Sequence, residues 1–487
     1  MEEPQALTPR IGEPRYFDAV RSLLIGAGYT ASALLDRAGL YKLSDVLTLA
    51  DRRPRIAPAH DALEVLTRVF FEGYGVPFSL AESLLGGAAL EACAGLGLVY
   101  RKEDALHATV SIAPVGEVFA ISDRENPLDD RATSIHSDVV FSLLTSNAQR
   151  FLSLIPRTPC EDLLEICCGA GGAAILGAKH FAKRTHALDI AERSVLFAEF
   201  NARLNGLGNM TAIAGDLYAP VEGKTFDRIF AHPPFVPEEG AEQAKKMIFR
   251  DAGGDGEEIS RRLIQELPGY LRPGGVYVHL STGSDREDAR FEQRIRRWLG
   301  DASGEFDVML ISAGPSKMRN RARWDALRKR FGMTYLFYGL TVLQRRDRQR
   351  PTFTQRRTGP DSLDWQFAWW SLQASTKVVE LGLSGLLAAK PRTSRRIVLN
   401  ERYERERAAF VPAKITLELE PHPNPVEIPK WAVRFLELAD GTRTSADIAK
   451  KLKLPLGPDE LANFIAPMVA DGFLEVAGLP PLPLPEK

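Results

Sequence analysis

His232-Pro233-Pro234-Phe235 stands at the end of a short apolar run, Asp227 to Ala231, and is the stretch best suited to a reaction. Two successive prolines fix an extended backbone and keep the residue before them out of the helical region, so the loop offers a rigid edge with an aromatic face. The His232 imidazole has one donor and one acceptor when neutral and can take up a proton near neutral pH. It can act as base for a hydroxyl, phenol, imidazole or ammonium group that loses a proton as it reacts. Alternatively it only shapes the loop, and a proline carbonyl meets the substrate.

Three stretches upstream converge on one nucleoside. Cys167-Cys168-Gly169-Ala170-Gly171-Gly172 joins the run Leu163 to Ile166 to a helix that starts near Ala173. Glycines at such a turn let the backbone approach a ligand, and the helix N-terminus offers unpaired N–H donors. Asp189 ends the next apolar run about twenty residues on, where an acid can accept both ribose hydroxyls of an adenosine. Gly215-Asp216-Leu217 then adds an acid and an apolar residue able to flank an adenine ring.

The elements that position these residues alternate between two periods. DLLEI, THALDI, AIAGDL and FDRIFA are short apolar runs that stop at Gly, Asp or Pro, as buried parallel strands do. Stretches with helical spacing, such as Ala191 to Leu204, lie between them, which makes a doubly wound α/β sheet. Leu271-Arg272-Pro273-Gly274-Gly275 stops a helix before a fifth strand, VYVHLS. A helix at Arg286 to Leu299, a strand at Asp307 to Ser312, a basic helix near Arg321 to Arg330 and a last strand at Thr334 to Leu343 follow.

Glu165, Ile166, Cys167, Cys168, Gly169, Ala170 and Gly171 align with the pattern acid, apolar, Gly, x, Gly, x, Gly. The segment Ser137 to Gln344 thereby resembles the class I S-adenosylmethionine-dependent methyltransferases of small-domain type. The resemblance implies a Rossmann-like seven-stranded sheet with its last strand antiparallel, and S-adenosyl-L-methionine as cofactor. It implies that Glu165 helps hold the methionine amino group and that Gly169 and Gly171 form the turn. Asp189, with Ile190 beside it, would bind ribose, and Asp216, with Leu217, would meet the adenine. Cys167 occupies the first glycine position, where its Cβ would crowd the cofactor. The loop is similar to the Asn-Pro-Pro-aromatic loop of methyltransferases acting on planar nitrogens, such as the glutamine amide of release factors and the exocyclic amines of adenine and guanine. Pro233, Pro234 and Phe235 carry over; the Asn does not, and His232 cannot reproduce a carboxamide's paired acceptor and donor edge. Methyl transfer from a sulfonium asks for alignment and exclusion of water, and no metal is expected.

The flanks are less specific. Tyr16 to Ala113 reads as helices (Phe17 to Ala27, Ala31 to Ala38, Leu63 to Phe71, Ser79 to Ala94) and a hairpin turning at Lys102-Glu103-Asp104. This suggests a winged-helix-like module and resembles the helical extension of some bacterial methyltransferases. His136 and Asp138 stand in a polar stretch that either closes over the cofactor or caps the helix Val139 to Ile155. Glu238 to Glu258, with Arg250, Asp251, Gly253 and Gly254, is a candidate lid with a glycine hinge, or a surface loop capping the helix Ile259 to Leu267. Basic residues from Lys317 to Arg357, interleaved with Trp324, Phe331 and Phe353, fit a nucleic-acid backbone or a solvated helix and linker. The tail reads as helix, turn, two helices and a strand. It resembles small winged-helix modules that dock peptides, or it serves packing and dimerisation.

At 487 residues with 45% apolar and 26% charged residues, the chain is expected to fold as two or three globular domains. No stretch approaches about eighteen uninterrupted apolar residues, so no membrane span is expected. The four cysteines, Cys93, Cys160, Cys167 and Cys168, have no zinc spacing, and reduced thiols in the cytoplasm are expected. The divisions are a helical, winged-helix-like part over 1–121, the methyltransferase domain over 122–350, a basic linker with helices over 351–420, and a winged-helix-like module with a Pro-rich tail over 421–487. The expected function is methylation of a nitrogen on a protein or RNA, with a homodimer compatible with it. The alternatives are a peptide or small-molecule O or N acceptor with His232 as base, and a cofactor-sensing regulator that binds nucleic acid.

Overall fold

The computed structural model describes residues 9–51, 58–124, 138–237, 251–312, 321–358, 364–406, 409–420 and 422–483. The chain divides into two units, Met1–Thr282 and Gly283–Lys487.

The first unit opens with α1 (Pro14–Gly26), α2 (Ala31–Ala38) and α3 (Ala62–Leu66), which runs on into a π-helical turn over Thr67–Glu72. Phe17, Val20 and Leu24 form the buried stripe of α1, three and four residues apart, and Pro14 sits at its first turn, where a missing N–H is harmless. Then come β1 (Val76–Pro77), α4 (Phe78–Leu85), α5 (Gly87–Gly95), β2 (Val99–Lys102) and β3 (Ala105–Ala108). The strands form a small antiparallel sheet in the order β1-β3-β2. The turn expected at Lys102-Glu103-Asp104 closes β2 on β3, with Lys102 opposite Ala105. The helix expected over Ser79 to Ala94 is two helices broken at Gly86.

A separate hairpin of β4 (Ser111–Val115) and β5 (Val118–Ser122) follows, each strand buried along its length. After α6 (Ser146–Leu154), capped by Thr145, the main sheet begins. It contains β6 (Cys160–Ile166), α7 (Gly172–His180), β7 (Ala182–Asp189), α8 (Glu192–Leu204), β8 (Met210–Ala214), β9 (Phe226–Ala231), α9 (Glu258–Glu266) and β10 (Leu271–Arg286). The order β10-β9-β6-β7-β8 is parallel throughout, as the alternation of strand and helix requires. From β6 the chain steps outward to β7 and β8, then returns to lay β9 on the other side of β6. The switch point therefore lies between β6 and β9, where a doubly wound sheet opens a crevice at its carboxyl ends.

Two asparagines clip the hairpin to this sheet. Asn201 Oδ1 accepts from Ile121 N at 2.7 Å, and its Nδ2 donates to Ile121 O at 3.1 Å and to Ala170 O at 2.9 Å. Asn205 pairs with Phe119 in the same way, accepting at 2.8 Å and donating at 2.6 Å. Four residues of helix rise about 6 Å and two of strand about 6.8 Å, so carboxamides at i and i+4 match alternate residues of an open strand edge. The two side chains do for β5 what a neighbouring strand would do.

The second unit holds α10 (Phe291–Trp298), β11 (Phe306–Ser312), α11 (Arg321–Phe331), β12 (Met333–Arg345), β13 (Thr354–Thr358) and α12 (Trp365–Ala388). Next come β14 (Arg392–Thr393), β15 (Ile397–Glu406), β16 (Ala409–Leu419), β17 (His422–Glu427), α13 (Lys430–Leu438), α14 (Ser445–Lys451), α15 (Pro458–Ala470) and β18 (Leu474–Glu475). β12 runs antiparallel to β11, as expected of the last strand, and β13 adds a further strand parallel to β11. The stretch read as a basic linker thus carries β13, the helical segment α12, broken at Gly382, and the paired strands β15 and β16. Among the described residues no helix is long and apolar enough to cross a membrane.

Candidate functional site

The glycine turn after β6 places one non-glycine in a glycine conformation. Cys167 has φ +57°, Gly169 +52° and Gly171 +76°. A side chain in the left-handed region costs roughly 1 kcal/mol or more, which gives the Cys167 departure a backbone strain besides the crowding expected from its Cβ. A Cβ at Gly169 would meet nothing within 4 Å, so the backbone there borders open space. At Gly171 it would meet Ala198 Cβ at 3.1 Å and Met210 Cε at 3.2 Å, so this glycine lets α7 pack closely.

Glu165, at the end of β6, is buried, and its oxygens accept from Ala173 N at 3.2 Å and Ala174 N at 2.7 Å in the first turn of α7. Burial pushes its carboxyl up to about 8, against the pull of these two N–H groups, and the neighbouring Asp189 charge adds to the rise. A carboxylate has about four lone-pair sites, so the two backbone bonds leave capacity for a cation. Asp189, at the end of β7, ties the turn to its own strand end. One oxygen accepts from Gly169 N at 2.9 Å and the other from Ala191 N at 3.0 Å. Burial raises its pKa, and these backbone bonds oppose the rise. Ile190, beside it, is 60% exposed, an apolar side chain with one face uncovered.

Asp189 lies opposite Ala214 at the end of β8, two residues before Asp216. The Asp216 carboxylate is gripped by both terminal nitrogens of Arg262 on α9, at 3.2 and 2.7 Å. Leu217 is buried, with φ +47°. Open space at Gly169, an acid at the end of β7, an uncovered Ile190 and an acid one strand further on make an arrangement whose donors and acceptors fit an adenosyl group.

The pairing of β9 with β6 puts Ala231 opposite Ile166, so His232 emerges beside the glycine turn. Its ring lies between Phe151, at 5.1 Å between centroids and 28°, and Phe235, at 6.0 Å and 25°. His232 Nε2 is buried with no hydrogen-bond partner among the described residues. Burial pushes the imidazole down to about 4, so it is neutral at physiological pH. Of the two roles read from the sequence, loss of hydration beside the aromatic rings favours the loop-shaping one over a base titrating near neutrality. Pro233 is buried, while Pro234 and Phe235 are half-buried. Thr282 Oγ1 donates to Phe235 O at 2.9 Å and fixes the far end of the loop.

Asp251 to Glu257 packs on this loop: Ala252 N donates to Val236 O at 3.0 Å, and a Cβ at Gly256 would meet Phe235 O at 2.9 Å. Gly253, read as part of a hinge, has φ +77° in that turn. Arg250 and His136 lie outside the described residues, and Asp138 is half-buried. Of the basic stretch, Arg345, Arg348, Arg350, Arg356 and Arg357 pair with Glu305, Glu380, Asp307, Asp285 and Asp471. Arg321, Arg328, Lys329 and Arg330 on α11 are exposed. Among the described residues no group of three or more His, Cys, Asp or Glu gathers as a metal site.

Phe151, Arg262 and Asn201 were not foreseen in the sequence. Asn201 and Asn205, two carboxamides at i and i+4 in an otherwise apolar helix face, carried a readable signal; Phe151 and Arg262 did not.

Residues 137–279 match the family model described as Methyltransferase small domain. The chain is 33% identical over 165 residues to a ribosomal protein uL3 glutamine methyltransferase of Bradyrhizobium diazoefficiens, covering 32% of this chain and 52% of that protein. It is 34% identical over 141 residues to a release factor glutamine methyltransferase of Moorella thermoacetica, covering 27% and 50%. With a ribosomal protein uL3 glutamine methyltransferase of Burkholderia pseudomallei it shares 34% identity over 169 residues, covering 31% and 55%. The chain thus spans about half the length of these curated relatives.

Proposed function

We propose that this chain, built around a class I S-adenosylmethionine-dependent methyltransferase small domain at residues 137–279, methylates the side-chain amide nitrogen of a glutamine in a protein. The observation that carries the reading is the Pro-Pro-Phe loop held beside the glycine turn by the register of β9 on β6. S-adenosylmethionine supplies a methyl group already activated on a sulfonium. The chain's task is to hold a planar amide in line with it and to exclude water. Phe235 offers a ring face to the amide plane, and a carbonyl of the proline pair accepts one amide N–H. His232 stands where the Asn would, and with Nε2 buried it shapes the loop between Phe151 and Phe235 and leaves the amide contact to the proline carbonyl. An acceptor that must first be deprotonated by His232 has less support, because a base with a pKa of about 4 is mostly ineffective near neutral pH. In this reading the two end modules are of winged-helix type and dock the protein substrate. Exposed cations on α11 favour an acidic or phosphate-bearing partner.

The test is incubation with methyl-labelled S-adenosylmethionine and cell extract, followed by separation into protein, RNA and small molecules. Label in protein, recovered after digestion as N5-methylglutamine, is the expected result. Label in RNA or in a metabolite overturns it, and tight cofactor binding with label nowhere supports a cofactor-sensing regulator instead.

Two further outcomes follow from the buried groups. Wild-type kcat is expected to show no His232 inflection between about pH 6 and 9, because its neutral form persists from above a pKa of about 4. An inflection near 6.5 that disappears in His232→Asn would return His232 to the role of base. Glu165, with a pKa of about 8, is mostly protonated at pH 7. An ammonium brought beside it lowers that pKa and expels the proton. Calorimetric titration with S-adenosylmethionine in two buffers of different ionisation enthalpy is expected to show release of up to about one proton per cofactor. Heats independent of buffer would place Glu165 outside the cofactor's reach.

A further inference from the structure

We infer that Arg262, held on Asp216, donates to N1 of the cofactor's adenine, beside the amino group that the resemblance already assigns to Asp216. The inference rests on the cofactor reading above and assigns a positioning role to a helix residue outside the glycine turn and the strand ends.

The geometry of the pair leaves it something to offer. Arg262 uses one N–H from each terminal nitrogen on Asp216, at 3.2 and 2.7 Å, and a guanidinium carries five N–H groups. The carboxylate likewise keeps lone pairs on the sides turned away from the fork. An acceptor beside a donor is the complement of adenine's edge, which presents an N6 donor beside an N1 acceptor. The pair is open to a ligand, with the Arg262 side chain 38% and the Asp216 side chain 50% exposed.

Position supports the same conclusion. Asp216 follows β8 by two residues, and β8 ends beside Asp189, so the acid sits one strand beyond the ribose acid, on the side where the base would extend. Ile190, uncovered next to Asp189, supplies apolar surface for a ring face. The Cys167 thiol feels the charges of both Asp216 and Arg262, which places the pair toward the glycine turn. Tyr218 Oη donates to Leu263 O at 3.1 Å, so the loop after β8 holds α9 in place one residue beyond Arg262. An exposed ion pair contributes little to stability by itself, so removal of Arg262 reports on the ligand more than on the fold.

The test uses calorimetric titration of S-adenosylhomocysteine and of its 1-deazaadenine analogue, which keeps the amino group and lacks N1. Wild-type protein is expected to bind the analogue about tenfold more weakly than the parent, while Arg262→Met binds both alike and about tenfold more weakly than wild type binds the parent. Equal binding of the two ligands by wild type, or discrimination that survives in Arg262→Met, overturns the inference and leaves the cofactor reading standing. Failure of wild type to bind S-adenosylhomocysteine at all overturns both.

Discussion

Asp189→Ala is expected to weaken S-adenosylmethionine binding by about 100-fold, the loss of two charge-assisted hydrogen bonds from a carboxylate to the ribose. The structure adds a second cause. Asp189 also accepts from Gly169 N and Ala191 N, so its removal would free the glycine turn in addition to the ribose contact proposed for it. Asp189→Asn separates the two: its carbonyl oxygen can keep one of the backbone bonds, while the charge that strengthens the ribose bonds is gone. Alanine should therefore be the weaker binder of the two variants. Calorimetry gives the affinities, and thermal unfolding without ligand shows how much of the change belongs to the turn. An alanine variant with unchanged affinity would remove Asp189 from the ribose.

Asn201→Leu is expected to destabilise the first unit by about 4 kcal/mol, although the two side chains are close in volume. The substitution leaves Ile121 N–H, Ile121 C=O and Ala170 C=O buried without partners, each costing roughly 1–3 kcal/mol. Asn205→Leu exposes a similar pair at Phe119, but Asn205 lies at the end of α8, where water can reach, and should cost less. Urea unfolding of the two variants would compare them. Equal, small effects would mean that the hairpin finds other partners when the clip is cut.

The sequence carried the cofactor half of the site and little of the acceptor half. Strand ends are announced locally, by Gly, Asp or Pro closing an apolar run, and Glu165, Asp189, Asp216 and His232 each stand at such an end. Their convergence follows from parallel pairing alone. Contacts made across the fold have no local announcement: Phe151 lies on α6, far from His232 in sequence, and Arg262 differs in no visible way from the arginine before it. The downward shift of the His232 pKa comes from its burial beside aromatic rings, so an imidazole that looks like a base in the sequence becomes a weaker one through packing that the sequence does not announce. The stretch over 351–420 misled for another reason. Its arginines suggested a solvated linker, whereas Arg356 and Arg357 are half-buried or buried in β13 and paired with acids distant in sequence.

The clip at Asn201 has a consequence for how stiffness is shared in this protein. One amide nitrogen donates both to Ala170, inside the glycine turn, and to Ile121, in the hairpin that packs on the same face of α8. A ligand that stiffens the turn would thereby stiffen the edge of the hairpin as well, and loosening of the hairpin would reach the turn through one side chain.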